Sequence, residues 1–544
     1  MRVLFRLVAF LVVVFLLIPK AWGQAQVFPQ WTARFHRSNS DLSAAGEVTT
    51  GSTAPSGSTL NAIAVDAQGN SYLGLTVCLD VTLGCPDRES LTLKYDADGH
   101  LQWKAWLSSP VHEAFSAGVA VDAAGNVYVL SALSTISDPI SLDLTAGSEF
   151  VTAKYAPNGS RLWIRFIHSA TRGNFPARIA VSPSGNVYVT GTTAAPRRDP
   201  DEVLTVKFDT NGNLLWSRTL SAFGLVTSAP ITGFALDGQE NVYIATDEES
   251  IGFFNAGITK YDKDGNIVPG GVGIEGVIQV LRADSQGSVY FSGGIIPDNP
   301  NVQGHDITEK IDAAGHVVWE NDSVSGTDIA PDRNGNLYVL SFGALLKLGR
   351  SGVQLWSVPV PLTDVPVNLA VNAFGDVYLA SLHSVTKYSV NGAKLWSQPF
   401  GGSTAAMTIG GDGALVVTGA VAPATGPGND WITTNYIQDA AKLTPATLIF
   451  GNELLGKQSA SQTVTLTNTG ERDLIIKSIP VACDFHLTNN CPSTLAAGAS
   501  CKLGVTFTPT ELGARTGTLS VLDDWEGSDH NPQIVKLSGT GVAP

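Results

Sequence analysis

The sequence predicts an all-β protein: an eight-bladed β-propeller with four-stranded blades, whose N-terminal strand closes the last blade, followed by an immunoglobulin-like β-sandwich. Three observations predict this fold. A strand–turn–strand pattern recurs eight times, the two ends of the repeat region carry complementary partial copies, and the last hundred or so residues follow a different pattern. Self-similarity at about 40 to 60 residues, with four strands per unit, is typical of propeller blades.

The repeating unit is clearest over residues 179–216, which read IAVSPSGNVYVTGTT and, after a spacer, VLTVKFDTNGNLLW. Apolar residues alternate within each run, which is the period of a half-buried strand. In each half a short polar residue opens the turn and a glycine follows three positions later. That spacing predicts a three-residue hairpin loop with glycine at the position of positive φ. Two such hairpins make one antiparallel four-stranded sheet.

Three positions identify the first half of the unit in each copy along the chain. The second strand carries Tyr72, Tyr128, Tyr188, Tyr243, Tyr290, Tyr338 and Tyr378, with Val416 in the last copy. The turn opens with Asp66, Asp122, Ser182, Asp237, Asp284, Asp332, Asn372 and Gly410. The turn glycine is replaced in the fourth copy by Glu240.

Tryptophan marks the closing strand of most units. The residues are Trp103, Trp163, Trp216, Trp319, Trp356 and Trp396, and Pro269 holds the place in the fourth copy. Residues 28–35, FPQWTARF, resemble a closing strand around Trp31 with no blade before it, whereas residues 431–436 resemble a third strand with no closing strand after it. We therefore expect the N-terminal strand to complete the eighth blade, which removes both sheet edges. All seven tryptophans are predicted to pack between blades.

The N-terminus predicts a secretory signal peptide over residues 1–23. Arg2 and Arg6 precede an apolar run from Leu7 to Ile18, and small residues follow at Ala21 and Gly23. A membrane anchor is the alternative, but the run is shorter than the ~20 residues that span a bilayer. We expect a secreted or cell-surface protein with the propeller over residues 24–440, the immunoglobulin-like domain over residues 441–544, and no membrane-spanning segment once the signal is removed.

The charge balance bears on the partner. The chain has 33 basic and 48 acidic residues, a formal net charge of −15, and no basic cluster. Nucleic acid and anionic membrane are therefore unfavourable partners. The partner remains unknown from sequence, with carbohydrate or protein favoured.

The repeated AVDxxGNVYV and KYDxxGxxxW halves resemble the bacterial SBBP-type β-propeller repeat over about residues 28–440. The tail, with TLxFG from Thr447 and CxLxVTFTPT from Cys501, resembles the ASH/Hydin-type immunoglobulin-like domain known as choice-of-anchor D. Neither family has a shared catalytic residue, so the resemblance implies no active site. It implies a disulfide between Cys491 and Cys501, which bracket PSTLAAGAS where that family often has such a pair.

Cysteine use fits an exported protein with disulfides. Cys78 and Cys85 flank an insertion in the first blade and are expected to form a disulfide across it. Cys483 is then either a free thiol or a competitor for Cys491. A metal site on these cysteines is the alternative, but no histidine cluster accompanies them.

Two recurrent features have both a functional and a structural interpretation. The turns at Asp96, Asp262 and Asp332 resemble calcium loops, yet calcium takes six or more oxygens, and an aspartate that bonds its own turn explains them. A lysine precedes the second turn in seven copies: Lys94, Lys154, Lys207, Lys260, Lys310, Lys347 and Lys387. A ring of lysines could bind an anion, but we expect solvent-facing strand residues, some of them paired with turn aspartates.

The function expected from sequence is non-enzymatic binding or scaffolding. Connections between second and third strands are long in the early copies and should gather on one face, where binding or neutral drift would equally explain their length. No catalytic, cofactor-binding or metal-binding residue and no cofactor is assigned. The alternative is a propeller enzyme that acts on polysaccharide, or a quinone-dependent dehydrogenase, because DxxGxxxW also resembles the tryptophan-docking repeat of those dehydrogenases; their adjacent cysteine pair is missing here.

Overall fold

The structure is a computed structural model of the 544-residue chain. It describes residues 27–35, 59–78, 88–97, 99–107, 112–135, 148–168, 173–194, 202–221, 231–250, 253–297, 302–372, 375–409, 415–421, 430–438, 441–468, 473–482, 484–496, 498–523 and 533–544. These residues form strands, turns and bends, so the all-β prediction is confirmed for them. Within the described residues, no helix is both long and apolar enough to cross a membrane.

The repeat region forms antiparallel sheets in which strands pair in chain order. The chain begins with β1 (Val27–Phe35). The first three repeats form the sheets β2 (Thr59–Val65), β3 (Ser71–Cys78), β4 (Arg88–Tyr95), β5 (Leu101–Leu107); β6 (His112–Val121), β7 (Val127–Thr135), β8 (Glu149–Tyr155), β9 (Arg161–Ile167); and β10 (Gly173–Val181), β11 (Val187–Ala194), β12 (Glu202–Phe208), β13 (Leu214–Ser221).

The fourth and fifth repeats share one seven-stranded sheet. Its strands are β14 (Ile231–Leu236), β15 (Val242–Ser250), β16 (Phe253–Tyr261), β17 (Val272–Ala283), β18 (Val289–Ile295), β19 (His305–Ile311) and β20 (Val317–Asn321). The start of β17 pairs with β16 up to Glu275, and from Gly276 onward the same strand pairs with β18. The closing strand of the fourth repeat therefore continues into the first strand of the fifth.

The last three repeats return to separate sheets. Their strands are β21 (Asp328–Pro331), β22 (Leu337–Ser341), β23 (Ala344–Leu348), β24 (Gln354–Pro359); β25 (Pro366–Val371), β26 (Val377–Ser381), β27 (Ser384–Tyr388), β28 (Lys394–Pro399); and β29 (Ser403–Ile409), β30 (Leu415–Val421), β31 (Asp430–Gln438). The N-terminal β1 pairs antiparallel with β31, with Phe35 opposite Trp431 and Val27 opposite Gln438. The predicted pairing of the two terminal fragments is confirmed.

The first strands of successive sheets contact one another in a closed cycle, which is the arrangement of a β-propeller. In order they are β2, β6, β10, β14, β17, β21, β25 and β29, and β29 contacts β2. Each sheet packs its apolar face on the next. Tyr72 of the first repeat, for example, lies in one buried cluster with Val127 and Val129 of the second. Both faces of a sheet are therefore covered by protein.

The hairpin turns have the geometry that their sequence predicts. In the second repeat, the amide of Gly125 donates to the carbonyl of Asp122 at 2.9 Å, and Gly125 has a φ of 77°. Glu240 replaces the turn glycine in the fourth repeat. Among the residues that the structure describes, it is the non-glycine residue with a positive φ, which is 65°. Such a backbone costs a residue with a Cβ roughly 1 kcal/mol or more, so a compensating interaction is expected at Glu240.

The C-terminal region is a β-sandwich. Its strands are β32 (Ala441–Thr444), β33 (Thr447–Leu454), β34 (Gln462–Asn468), β35 (Leu474–Ser478), β36 (Phe485–Asn489), β37 (Thr494–Leu495), β38 (Ser500–Phe507), β39 (Gly513–Asp523) and β40 (Gln533–Val542). One sheet has the order β32-β34-β38-β36 and the other β33-β40-β39-β35-β37. Inward residues of both sheets, among them Leu503, Phe507 and Leu519, form one buried core. A disulfide joins Cys491 to Cys501.

Deletion of β1 tests the closure of the cycle. Removing residues 27–35 exposes the hydrogen-bonding edge of β31 and should lower the thermal midpoint of the propeller by several degrees, because paired backbone groups and packed apolar surface are lost together. Differential scanning calorimetry of the full chain measures this, and the transition of the C-terminal sandwich serves as an internal control. An unchanged propeller midpoint would show that β1 does not contribute to closure.

Candidate ligand-binding site

The tryptophans of the repeats link neighbouring sheets. The indole Nε1 of Trp103 donates to the carbonyl of Pro157 at 3.0 Å, and that of Trp163 donates to Thr210 at 3.1 Å. In both cases the carbonyl belongs to a turn of the following repeat. Trp216 and Trp356 make the same bond to Lys263 and Val390. The ring also covers the glycine of that turn: a Cβ on Gly212 would lie 2.8 Å from Trp163.

The remaining tryptophans predicted to pack between blades lie in related positions. Trp319 covers Gly352, where a Cβ would lie 2.7 Å from its ring. Trp396 lies between Tyr378 and Tyr436, with ring centroids 6.0 and 6.3 Å away. Trp31 lies on β1, opposite Asn435 in register. The described tryptophan rings therefore fill the seams between sheets, where they leave no room for a ligand.

Six of the seven repeated lysines are buried and Lys310 is partly buried, so the expectation that these residues face solvent is wrong for the six. Six of them are 2 to 7% exposed: Lys94, Lys154, Lys207, Lys260, Lys347 and Lys387. The physical reason is that the neighbouring sheet covers the face from which they project. In all seven copies the ammonium lies 4.8 to 5.4 Å from the ring centroid of the repeat's tyrosine. A buried ammonium needs hydrogen-bond acceptors and counter-charge.

Six of the lysines obtain such partners from turns. Lys94 donates to the carbonyl of Pro157 at 2.9 Å, which is the carbonyl that also accepts from Trp103. Turn carboxylates supply the charge: Lys154 lies 3.9 Å from Asp122, and Lys347 lies 4.0 Å from Asp332. Burial lowers the pKa of Lys154, and Asp122 opposes that change. The predicted pairing with turn aspartates is confirmed in these copies, and a buried, occupied lysine offers no external anion site.

Glu240 is the compensating carboxylate of the third repeat, whose turn opens with Ser182 instead of aspartate. Its carboxylate accepts from Lys207 at 3.0 Å and from the hydroxyl of Tyr188 at 2.8 Å. Burial alone raises the pKa of Glu240, but hydrogen bonds from Ser184, Asn186, Tyr188 and Lys207 outweigh burial and lower it to about 2. Stability from this group is therefore present above the ordinary glutamate pKa and is lost as pH falls toward 2.

The turns that resembled calcium loops bind their own backbone. The Oδ1 of Asp262 accepts from the amides of Asp264 and Asn266 at 2.9 and 2.8 Å. Asp332 does the same with Asn334 and Asn336 at 2.8 and 2.9 Å. The interpretation of these aspartates as turn residues is confirmed.

The cysteines predicted to pair fall into two groups. The disulfide between Cys491 and Cys501 is present, as the resemblance implied. Cys78 ends β3, whereas Cys85 and Cys483 lie outside the described residues. The pair between Cys78 and Cys85 stays a prediction.

A cavity of about 670 Å³ lies among the first three repeats. Arg88 at the start of β4, Phe115 on β6 and Arg178 on β10 line it, together with Glu113 and Phe175. The connections from β3 to β4 and from β7 to β8 leave the sheets at this edge, although residues 79–87 and 136–147 are outside the described part. This is the face on which the sequence predicted long connections.

The walls of this cavity, here called the arginine cavity, combine guanidinium and aromatic groups. The guanidinium of Arg88 lies 5.3 Å from the ring centroid of Phe115, and its Nη1 lies 3.8 Å from Glu113 Oε2. The Phe175 side chain is 37% exposed and Arg178 is also exposed. Ligand sites in proteins commonly pair apolar and aromatic walls with a few polar groups of this kind.

Two strand irregularities lie among the residues that line the arginine cavity. The pairing of β6 with β7 shifts between Ser116 and Gly118, and that of β10 with β11 shifts between Pro176 and Arg178. Such bulges bend a strand and change the direction of its side chains. In β10 the residue just after the shift is Arg178, which is one of the residues that line the cavity. Alternation in the sequence does not reveal a bulge, so these residues were not identified from sequence.

Two further carboxyl groups, one half-buried and one buried, stand out from the repeat pattern. Burial raises the pKa of Asp247, within β15 of the fourth repeat, to about 6, and a hydrogen bond from the amide of Ile278 opposes the rise. Burial, with the charge of Glu320, raises the pKa of Glu309 on β19 to about 7. At the position of Glu309 the other repeats have leucine, alanine, valine or threonine.

Comparison with known protein families gives a match in the C-terminal part of the chain. The family model ASH, described as Abnormal spindle-like microcephaly-assoc'd, ASPM-SPD-2-Hydin, matches residues 440–530. No curated protein sequence matches the chain. Among solved structures, BamB from Moraxella catarrhalis is 13% identical, covers 71% of this chain and 99% of its own, and has a TM-score of 0.41.

Two other solved structures are similar in part. The polysaccharide lyase Uly1 is 9% identical, covers 76% of this chain and 99% of its own, and has a TM-score of 0.40. An ASH/PapD-like domain of human CEP192 is 17% identical, covers 19% of this chain and 87% of its own, and has a TM-score of 0.16. Sequence identities and TM-scores this low do not indicate an activity for the chain.

Glycine substitutions test the packing of tryptophan between sheets. Gly212 and Gly185 have nearly equal φ values of 78° and 83°, but a Cβ on Gly212 would lie 2.8 Å from Trp163, whereas one on Gly185 would have ordinary contacts at 3.5 Å. Both alanine variants should lose roughly 1 kcal/mol to backbone strain. Gly212→Ala should lose a further ~1–3 kcal/mol by overpacking. Equal urea midpoints for the two variants would contradict this role for Trp163.

Proposed function

We propose that the chain is an exported, non-catalytic binding protein whose eight-bladed propeller binds an anionic carbohydrate in the arginine cavity. The proposal includes the finer assignments made from sequence: an SBBP-type repeat region, a choice-of-anchor D type of C-terminal domain, and a secreted or cell-surface location. The proposed binding role rests on the cavity of about 670 Å³, which is lined by Arg88, Arg178, Phe115 and Phe175. A carbohydrate with carboxylate groups has chemistry complementary to both wall types.

The guanidinium groups supply the selectivity. A guanidinium donates two parallel hydrogen bonds to one carboxylate, and Arg88 is held near its place by Glu113 and by the Phe115 ring. The exposed Phe175 offers an apolar surface against which a sugar ring can pack. Because the whole chain carries a net charge of −15, attraction of an anionic ligand must be local to the cavity.

The C-terminal domain supports a scaffolding contribution. Residues 440–530 match the ASH family model, and the sandwich has its own buried core and disulfide. In this proposal the propeller binds the carbohydrate and the sandwich contacts a partner protein.

Binding is tested by isothermal titration calorimetry of the full chain with an oligogalacturonate and with a neutral maltooligosaccharide. We expect the acidic oligosaccharide to bind and the neutral one to bind at least tenfold more weakly. Arg88→Gln and Arg178→Gln should each weaken binding about tenfold or more, since a charge-assisted hydrogen bond contributes about 1.5–3 kcal/mol. Arg333→Gln removes the same charge from an exposed turn of the sixth repeat and should leave affinity unchanged.

Three outcomes would contradict the binding role. The first is equal affinity for the neutral and acidic sugars, and the second is affinity that Arg88→Gln and Arg178→Gln do not change. The third is cleavage of the oligosaccharide during the titration, which would favour the enzyme alternative instead.

A further inference from the structure

A histidine and two carboxylates converge on the outer hairpin of the fifth repeat. His305 begins β19, Glu320 lies near the end of β20, and Asp322 follows that strand. The ligand atoms that these three side chains offer all lie within 4.8 Å of one another, and all three residues are exposed. The ligands of a tetrahedral zinc ion lie about 3.3 Å apart, given metal–ligand distances of about 2.0–2.2 Å. Small side-chain rotations would therefore bring this group to coordination distance.

A second observation is independent of that convergence. Glu309 lies directly opposite Glu320 in the pairing of β19 with β20, so the two side chains leave the sheet on the same face. Glu309 is 4% exposed, and its Oε1 has no hydrogen-bond partner among the described residues. An unpartnered buried carboxylate is costly, and Glu309 is the cross-strand neighbour of Glu320, one member of the exposed group. A cation held by that group would supply the missing positive charge.

The fifth repeat alone has this combination. At the position of Glu309 the other repeats have Leu93, Ala153, Val206, Thr259, Leu346 and Thr386. None of these side chains ionises, so propeller packing by itself does not require a carboxylate there. A buried glutamate opposite Glu320 is therefore a departure from the repeat that packing does not explain.

We propose that His305, Glu320 and Asp322 bind a divalent transition-metal ion on the outer surface of the propeller, with Glu309 as a buried carboxylate that strengthens the attraction. An imidazole nitrogen among carboxylate oxygens suits Zn²⁺ and related ions, whereas Ca²⁺ takes six to eight oxygens. The ion joins the beginning of β19 to the end of β20 and so fixes the outer hairpin. Three protein ligands leave a coordination position for water.

The experiment is a titration of the metal-stripped full chain with ZnCl₂ by isothermal titration calorimetry, with CaCl₂ as a competitor. We expect one zinc ion per chain, a dissociation constant in the micromolar range or tighter, and no displacement by millimolar calcium. His305→Ala and Asp322→Asn should each weaken this binding at least tenfold, and Glu309→Gln should weaken it severalfold. Zinc should also raise the thermal midpoint of the wild-type propeller and not that of His305→Ala.

The chain provides a matched control on the same hairpin. His316 lies 3.2 Å from Asp312 in the turn between β19 and β20, with no third ligand in the described cluster. His316→Ala should leave zinc affinity unchanged. The proposal fails if the stripped chain binds no zinc stoichiometrically, if His316→Ala weakens binding as much as His305→Ala, or if His305→Ala and Asp322→Asn bind zinc as the wild type does. Thermal midpoints of the metal-free variants show whether each one is folded.

Discussion

The structure of the repeat region depends on a lysine ammonium buried in the seam between neighbouring sheets. In seven copies it lies over the tyrosine ring of its own repeat. Lys154, Lys207 and Lys347 each also lie within 4.0 Å of a turn carboxylate and donate to a carbonyl in a turn of the next repeat. In the first repeat Lys94 and Trp103, which are opposite each other in register, donate to the same carbonyl of Pro157. One carbonyl thus fixes the position of one sheet relative to the next, and both donors require that the turn be formed.

Two repeats show that the buried lysine needs a carboxylate nearby, but that different chain positions can supply it. The third repeat has Ser182 where most turns open with aspartate, and Glu240 reaches back from the following repeat to bind Lys207 and Tyr188. The seventh repeat opens its turn with Asn372, and there Asp376 lies 3.0 Å from Lys387. Glu240 binds Lys207 even though its own backbone has a strained φ of 65°. Because a lone buried charge is so unfavourable, the repeat tolerates strain in order to neutralise it.

The sequence predicted the local features well because they depend on short-range rules. The alternation of apolar residues predicted the strands, and the spacing of Asp122 and Gly125 predicted the hairpin. The partial copies at the two ends predicted the pairing of β1 with β31. The burial of Lys154 was not predicted, since alternation tells which face a side chain leaves but not whether another sheet covers that face. The continuous β17 was also missed, because its connection depends on how two repeats lie side by side.

The arginine cavity and the proposed metal site could not be predicted from the sequence, for related reasons. Arg88, Phe115 and Arg178 come from three different repeats, and their proximity depends on how neighbouring sheets pack, which the hydrophobic pattern does not reveal. Glu309 was detectable in principle as the one ionisable residue at an otherwise non-ionisable position of the repeat. Its relation to His305 and Asp322 depends on strand register. Rigid seams leave such surface positions free to vary, which is how propellers acquire different binding sites.

The most direct test of the account is a comparison of Glu240→Gly with the double variant Ser182→Asp/Glu240→Gly. Glu240→Gly relieves the positive φ, worth roughly 1 kcal/mol, but leaves buried Lys207 without its carboxylate, at a cost of ~3–5 kcal/mol. We predict a net loss of about 2–4 kcal/mol in the urea unfolding of the propeller, and recovery of most of it when Ser182→Asp restores the usual turn carboxylate. A Glu240→Gly variant as stable as wild type, or no recovery in the double variant, would contradict the central role of the buried lysine.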